Sequence, residues 1–137
     1  MSHRKRRATK RVLLIEDDRA IAEMFGARLT AAGYLTAMAA DGVSGLAFSV
    51  ALQPDLILLD IGLPRMRGDE LLRELRRDPR TLRIPVVVLS NWADDPELMK
   101  RLRGLGVLEI VVKSHMTPNA LVEAVAHWIV APDREAV

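Results

Sequence analysis

Four short apolar runs lie along the chain, and each of them stops at a polar or charged residue. Continuous runs of Val, Leu and Ile are typical of strands that are buried on both faces of a parallel sheet. The carboxyl ends of such strands meet at one edge of the sheet, where ligands bind. The residues that end the runs are therefore predicted to form one site. The runs are Val12–Ile15 before Glu16–Asp18, Leu56–Leu59 before Asp60, Val86–Leu89 before Ser90, and Ile110–Val112 before Lys113.

The segments between these runs have the spacing of amphipathic helices, because apolar residues recur in them at steps of three and four. Gly33 stands where a helix end favours positive φ, and a second strand is expected at Leu35–Ala39. The pattern predicts an α/β fold with a doubly wound, five-stranded parallel sheet of the (βα)5 type. Candidate helix N-caps are Asp18, Asp41, Asp95 and Thr117. The predicted apolar faces are Ile21, Met24, Phe25, Leu29 and Ala32; Val43, Leu46, Ala47 and Val50; Leu71, Leu72 and Leu75; Leu98, Leu102 and Leu105; and Leu121, Val125, Trp128 and Ile129.

The positive charge of the chain is concentrated at its start. The net charge is +2, but six basic residues lie before the first run, and the rest carries 14 basic and 18 acidic residues. We therefore expect a basic, disordered tail at residues 1–9, a domain at residues 10–131 and a C-terminal tail at residues 132–137. Nucleic-acid binding is not expected, because the basic stretch has no aromatic residue to stack on bases. The six basic residues are Arg4, Lys5, Arg6, Arg7, Lys10 and Arg11.

Composition excludes two further classes of function. The chain has no Cys, which excludes disulfides and thiol chemistry. No apolar run is long enough to cross a bilayer, so no membrane partner is expected. These features favour a cytoplasmic protein.

The acidic residues at the strand ends indicate a site for a metal ion and a phosphoryl group. Clustered carboxylates repel one another unless a cation joins them, and Mg²⁺ prefers oxygen ligands. Glu16, Asp17 and Asp60 carry three negative charges, which Mg²⁺ and Lys113 would balance together. That balance would let Asp60 accept a phosphoryl group as an acyl phosphate, with Ser90 and Lys113 binding phosphoryl oxygens.

These residues resemble the receiver domain of bacterial two-component response regulators. The resemblance rests on four motifs in receiver order, Ile15–Asp18, Leu59–Pro64, Val88–Ser90 and Val112–Lys113, and it extends from about residue 10 to residue 129. It implies a flavodoxin-like fold of three α/β/α layers and a signalling protein rather than an enzyme. Because only a few residues follow Val130, no output domain is expected, and a stand-alone, single-domain regulator is predicted. Such a regulator is phosphorylated by a sensor histidine kinase or a histidine phosphotransfer protein, and it signals through contacts with a downstream protein.

The resemblance also implies a role for each site residue. Asp60 is the phosphoacceptor, and Glu16 and Asp17 are the acidic pair. The direct Mg²⁺ ligands are expected to be Asp17, Asp60 and the backbone carbonyl of Gly62, while Glu16 acts through water. Asp18 lies outside the pair and is expected only to cap its helix.

The chain departs from the usual receiver pattern near its switch positions, Ser90 and Ile110. Ile110 stands where a Tyr or Phe usually couples phosphorylation to a change of surface, and Ser114 stands where a Pro usually follows the Lys. Asn91 replaces the small residue that usually follows the hydroxyl. Trp92 is bulky enough to shield an acyl phosphate from water. The phosphorylation site is therefore expected to be intact, whereas the residues at positions 110, 114 and 91 argue against the usual hydroxyl–aromatic switching route.

Three other functions compete with this one. A hydrolase of the haloacid dehalogenase type carries a second Asp two positions after its nucleophile, where this chain has Gly62. A nucleotide-binding flavodoxin-like protein is disfavoured because no Gly-rich loop follows the first strand. A phosphorylation-independent scaffold with a receiver fold is compatible with the altered switch positions, but Asp60 and Lys113 argue against it.

Overall fold

A computed structural model of the 137-residue chain describes residues 9–91 and 95–130, without the side chain of Val130. The predicted basic tail falls on residues outside this range, apart from Thr9. The predicted C-terminal tail at residues 132–137 and the expectation for Trp92 also lie outside the described residues.

Strands and helices alternate along the described chain as predicted. The strands are β1 (Arg11–Ile15), β2 (Leu35–Ala39), β3 (Leu56–Asp60), β4 (Val86–Ser90) and β5 (Glu109–Val112). The helices are α1 (Arg19–Ala31), α2 (Gly42–Leu52), α3 (Gly68–Arg77), α4 (Pro96–Gly104) and α5 (Pro118–Val130), and a short 3₁₀ turn at Lys113–His115 follows β5. Within the described ranges, no helix is both long and apolar enough to span a membrane.

The five strands form one parallel sheet in the order β2-β1-β3-β4-β5. Helices α1 and α5 pack on one face of the sheet, and α2, α3 and α4 pack on the other. The central strands β1, β3 and β4 are almost wholly buried, which explains their unbroken runs of Val, Leu and Ile. The predicted doubly wound α/β/α fold is confirmed, and its switch point lies between β1 and β3.

Side-chain caps mark where α1, α2, α4 and α5 begin. Each predicted cap accepts a hydrogen bond from a backbone N–H in the first turn, which satisfies a donor that the helix leaves unpaired. Gly33 follows α1 at φ 103°, a conformation that strongly favours glycine. The cap bonds are Asp18 to Ile21 at 3.1 Å, Asp41 to Ser44 at 2.8 Å, Asp95 to Leu98 at 3.2 Å, and Thr117 to Ala120 at 3.1 Å.

The predicted apolar faces of α1 and α2 were partly wrong. In α1, Met24 is exposed, and Ala32 follows the helix as an exposed C-cap. In α2, Val43 and Ala47 are exposed, and the buried residues are the small ones, Gly42, Gly45 and Ser49. The reason is close packing, because a Cβ atom on Gly45 would lie only 2.8 Å from the side chain of Ile15. Small residues therefore bring α2 against β1, close to the strand end that leads into the site.

Candidate functional site

The site lies at the carboxyl edge of the sheet, at the switch point between β1 and β3. Glu16 and Asp17 directly follow β1, and Asp60 is the last residue of β3. Glu16 is 2% exposed and Asp60 is 7% exposed, whereas Asp17 is open to solvent. One carboxylate oxygen from each of the three residues lies within 4.8 Å of the others. The fold therefore brings together the three acidic residues whose grouping was predicted from the sequence.

Lys113 reaches into this cluster from the end of β5. Its ammonium nitrogen lies 2.7 Å from Oε1 of Glu16 and 3.4 Å from Oδ2 of Asp60. The side chain is only 13% exposed, so its charge is held against the two carboxylates rather than solvated. The predicted grouping of Asp60, Glu16 and Lys113 is thus present in the described structure.

The charges in the cluster change one another's pKa values. Burial raises the pKa of Glu16 above 4.5, although the contacts with Lys113 and the N–H of Asp18 act in the opposite direction. Burial alone would lower the pKa of Lys113, but the bond to Glu16 and the negative charges of Asp60 and Glu16 outweigh it, and the net shift is upward. Lys113 therefore stays positively charged at neutral pH, as a charge-balancing role requires.

The cluster has the charge and the donor atoms that a divalent cation needs. Three carboxylates and one ammonium leave two formal negative charges, and all the offered ligand atoms are oxygens. Oε2 of Glu16 accepts the N–H of Asp18 at 2.9 Å, and Oε1 is paired with the ammonium of Lys113 at 2.7 Å. The two charges that remain and the convergence of three carboxylate oxygens fit Mg²⁺.

The loop after β3 holds the Asp60 carboxylate from the other side. The backbone N–H of Gly62 donates to Oδ1 of Asp60 at 3.2 Å, so one oxygen faces the loop and the other faces Lys113. The N–H of Gly68, at the start of α3, donates to the carbonyl of Ile61 at 3.0 Å and closes this loop. The loop is thereby packed against the strand end.

The two switch positions lie on neighbouring strands. Ser90 ends β4 and is fully buried, and its register partner on β5 is Val112, directly before Lys113. Ile110 pairs with Val88 and packs, partly buried, against the core between the sheet and helices α2, α3 and α4. Ser90 is therefore on the same edge of the sheet as Asp60, as predicted, while Ile110 lies farther back along β5.

One contact at the site was not predicted from the sequence. The side-chain oxygen of Asn91 accepts the backbone N–H of Ser114 at 2.8 Å. In the sequence, both residues stand out only as departures from the receiver pattern. The sequence feature that could have indicated this hydrogen bond is the absence of Pro at position 114, because any other residue has a backbone N–H that a polar neighbour can accept.

Asp18 has the separate role that was predicted for it. Its carboxylate accepts the N–H of Ile21 and caps α1. It is not among the residues whose oxygens converge with those of Asp60, within the described part of the chain.

Comparison with known proteins identifies the family. A family model described as the response regulator receiver domain matches residues 12–126. The chain is 48% identical over 80 residues to the DNA-binding dual master transcriptional regulator RpaA of Synechocystis sp., and the match covers 58% of this chain and 33% of the relative. It is 34% identical over 116 residues to the Regulator of RpoS of Escherichia coli K12, and the match covers 85% of this chain and 34% of the relative. The chain thus spans about a third of the length of these curated relatives.

Solved structures give the same result for the fold. The CheY-like response regulator receiver domain protein of Methanospirillum hungatei JF-1 is 28% identical, with a TM-score of 0.84, and the match covers 93% of this chain and 99% of that chain. Receiver domains generally bind Mg²⁺ at an acidic pocket, and they interact with histidine kinases or phosphotransfer proteins and with downstream effectors. They are signalling domains rather than members of an ordinary enzyme family. This chain belongs to the response regulator receiver-domain family of two-component signalling.

Proposed function

We propose that the chain is a cytoplasmic, single-domain response regulator of a phosphorelay. Asp60 accepts a phosphoryl group from a phosphohistidine of a sensor kinase or of a phosphotransfer protein, and the phosphorylated chain signals through protein–protein contacts. The observation that carries the proposal is the position of Lys113, which lies 2.7 Å from Glu16 and 3.4 Å from Asp60.

The transfer forms one bond and breaks another. A carboxylate oxygen of Asp60 attacks the phosphorus, the P–N bond of the phosphohistidine breaks, and the electron pair stays on the imidazole nitrogen, which takes up a proton. Lys113 pairs with the negative phosphoryl oxygens, and the hydroxyl of Ser90, at the end of β4, donates a hydrogen bond to one of them. The N–H of Gly62 keeps the carboxylate oriented through its bond to Oδ1.

Four residues hold Mg²⁺ in this proposal. Asp17, Asp60 and the carbonyl of Gly62 would be direct ligands, and Glu16 would act through water. When bound, the ion offsets the negative charge of the carboxylates and of the incoming phosphoryl group. The convergence of three carboxylate oxygens within 4.8 Å supports this assignment.

The main alternative is a scaffold that works without phosphorylation. Ile110 in place of an aromatic residue and Ser114 in place of Pro are the features that favour it. The charge cluster argues against it, because two buried carboxylates, Glu16 and Asp60, and the ammonium of Lys113 are costly to hold together without a function. A dehalogenase-type hydrolase is also disfavoured, since position 62 offers a backbone N–H to Asp60 rather than a carboxylate.

Phosphorylation by a small donor tests the proposal against the scaffold. Acetyl phosphate with Mg²⁺ is expected to label the wild-type chain and the Asp18→Asn variant, because Asn is as good a helix cap as Asp. The Asp60→Asn variant is expected to remain unlabelled. Equal labelling of the Asp60→Asn and Asp18→Asn variants, or no labelling of the wild-type chain, would refute the role of Asp60 as the phosphoacceptor.

A further inference from the structure

The loops that follow β4 and β5 are tied together by one hydrogen bond. Oδ1 of Asn91 accepts the backbone N–H of Ser114 at 2.8 Å, across 23 residues of sequence. The two partners directly follow Ser90 and Lys113, the residues through which β4 and β5 reach the phosphoryl site. The bond therefore lies one residue beyond each of two side chains that the proposed reaction uses.

This bond completes the short 3₁₀ turn that begins at Lys113. A helical turn leaves its first N–H groups without internal partners, and a side chain at the N-cap usually accepts one of them. The N-cap here is Val112, whose apolar side chain makes no such bond. Asn91 supplies the missing acceptor from the neighbouring strand, because Ser90 and Val112 lie side by side in the ladder.

We infer that Asn91 is a positioning residue for Lys113. By capping the turn from β4, it fixes the backbone from which the Lys113 side chain reaches Glu16 and Asp60. The inference rests on the proposed function for its catalytic meaning, but the restraint on Lys113 is a property of the chain itself. A Pro at position 114 would have no N–H to donate, so the bond requires both Asn91 and a residue other than Pro at position 114.

Chemical modification of Lys113 tests the restraint without phosphorylation. An N-hydroxysuccinimide ester of acetic acid, used without Mg²⁺, modifies lysines according to their accessibility, and mass spectrometry measures Lys113 relative to the exposed Lys100 of α4. We expect the relative rate at Lys113 to rise about three- to fivefold in Asn91→Ala, in keeping with the loss of one ordinary hydrogen bond. Ser114→Pro, which removes the donor, is expected to give a similar rise.

Two matched variants separate the hydrogen bond from other effects. Ser114→Ala keeps the backbone N–H, and Asn91→Asp keeps an acceptor oxygen, so neither is expected to exceed the wild-type rate at Lys113. The double variant Asn91→Ala/Ser114→Pro is expected to match the single variants, because one bond can be lost only once. An unchanged rate in Asn91→Ala, or an equal rise at Lys100, would overturn the inference.

A second measurement connects the restraint to the reaction. With acetyl phosphate and Mg²⁺, Asn91→Ala is expected to lower the phosphorylation rate about three- to fivefold in a chain that has Lys113. In a Lys113→Ala background, Asn91→Ala is expected to cause no further loss, because it acts through that lysine. A further loss of the same size would contradict the positioning role. If the wild-type chain took up no phosphate, the proposed function would fail, while the modification result would still decide the restraint on Lys113.

Discussion

Replacing Gly68 by Ala tests whether the start of α3 determines the position of Asp60. A Cβ atom at position 68 would lie 2.7 Å from Cα of Ile61 and 2.8 Å from the carbonyl oxygen of Asp60. Carbon atoms pack at about 3.5–4.0 Å, so the backbone would have to separate by about 0.8 Å. Overpacking of this kind costs about 1–3 kcal/mol, and the better helix propensity of Ala returns less than about 1 kcal/mol. We expect a net loss of about 1–2 kcal/mol in the free energy of unfolding.

The same displacement is expected to slow phosphorylation. The carbonyl of Asp60 and the loop that holds its carboxylate would move together, and a misplacement approaching about 1 Å lowers rates by roughly ten- to a hundredfold. Urea unfolding measures the stability, and the rate of labelling from acetyl phosphate with Mg²⁺ measures the effect on the site. Gly104→Ala in α4 is the matched control, because a Cβ atom there would have no neighbour within 4 Å.

The control is expected to label at the wild-type rate and to be as stable as the wild type or up to about 1 kcal/mol more stable. Wild-type stability and labelling in Gly68→Ala would refute the reasoning about close packing. A loss of stability with unchanged labelling would show that α3 moves and the Asp60 loop does not.

Three further predictions concern other residues of the loops around the site. Asp17→Ala is expected to weaken Mg²⁺ binding in calorimetric titration much more than Asp18→Ala, and equal losses would mean that the acidic cluster has been misassigned. Arg65 adopts φ 68°, a backbone conformation that is strained for any residue except glycine. Arg65→Gly is therefore expected to unfold at a higher urea concentration than Arg65→Ala, with a difference of about 1 kcal/mol in the free energy of unfolding. Equal urea midpoints would contradict the presence of backbone strain at position 65. A hydrogen bond from the N–H of Ser44 lowers the pKa of Asp41 below 3.8. The stability that ionised Asp41 adds to the fold is therefore fully present above pH 3.8, and it is lost as the pH falls through the lowered pKa. Asp41→Asn is therefore expected to reduce the loss of stability in acid, measured by urea unfolding at several pH values, and an unchanged acid dependence would refute the assignment.

The alternation of strands and helices could be predicted because it depends on local patterns. The buried strands have continuous apolar runs, and Asp18, Asp41 and Asp95 cap helices through bonds to residues only three positions away. The grouping of Asp60 with Lys113 could be predicted because parallel strands present their carboxyl ends at one edge. These features follow from residue order and sheet topology.

Close packing and contacts between loops could not be predicted in the same way. The buried face of α2 is made of small residues, because Gly45 lies against Ile15, and hydropathy does not report how near two backbones come. The hydrogen bond between Asn91 and Ser114 joins residues that are 23 positions apart in the sequence. The two residues meet only because β4 and β5 end next to each other in the sheet. Such features require the three-dimensional structure.

The central claim is that Asp60 is the residue that carries the phosphoryl group. Borohydride reduces an aspartyl phosphate to homoserine, so reduction after treatment with acetyl phosphate and Mg²⁺, followed by peptide mass spectrometry, locates the modified residue. We expect homoserine at position 60, and none when acetyl phosphate or Mg²⁺ is omitted. Homoserine at Asp17 or Asp18, or no homoserine at any position, would contradict the claim.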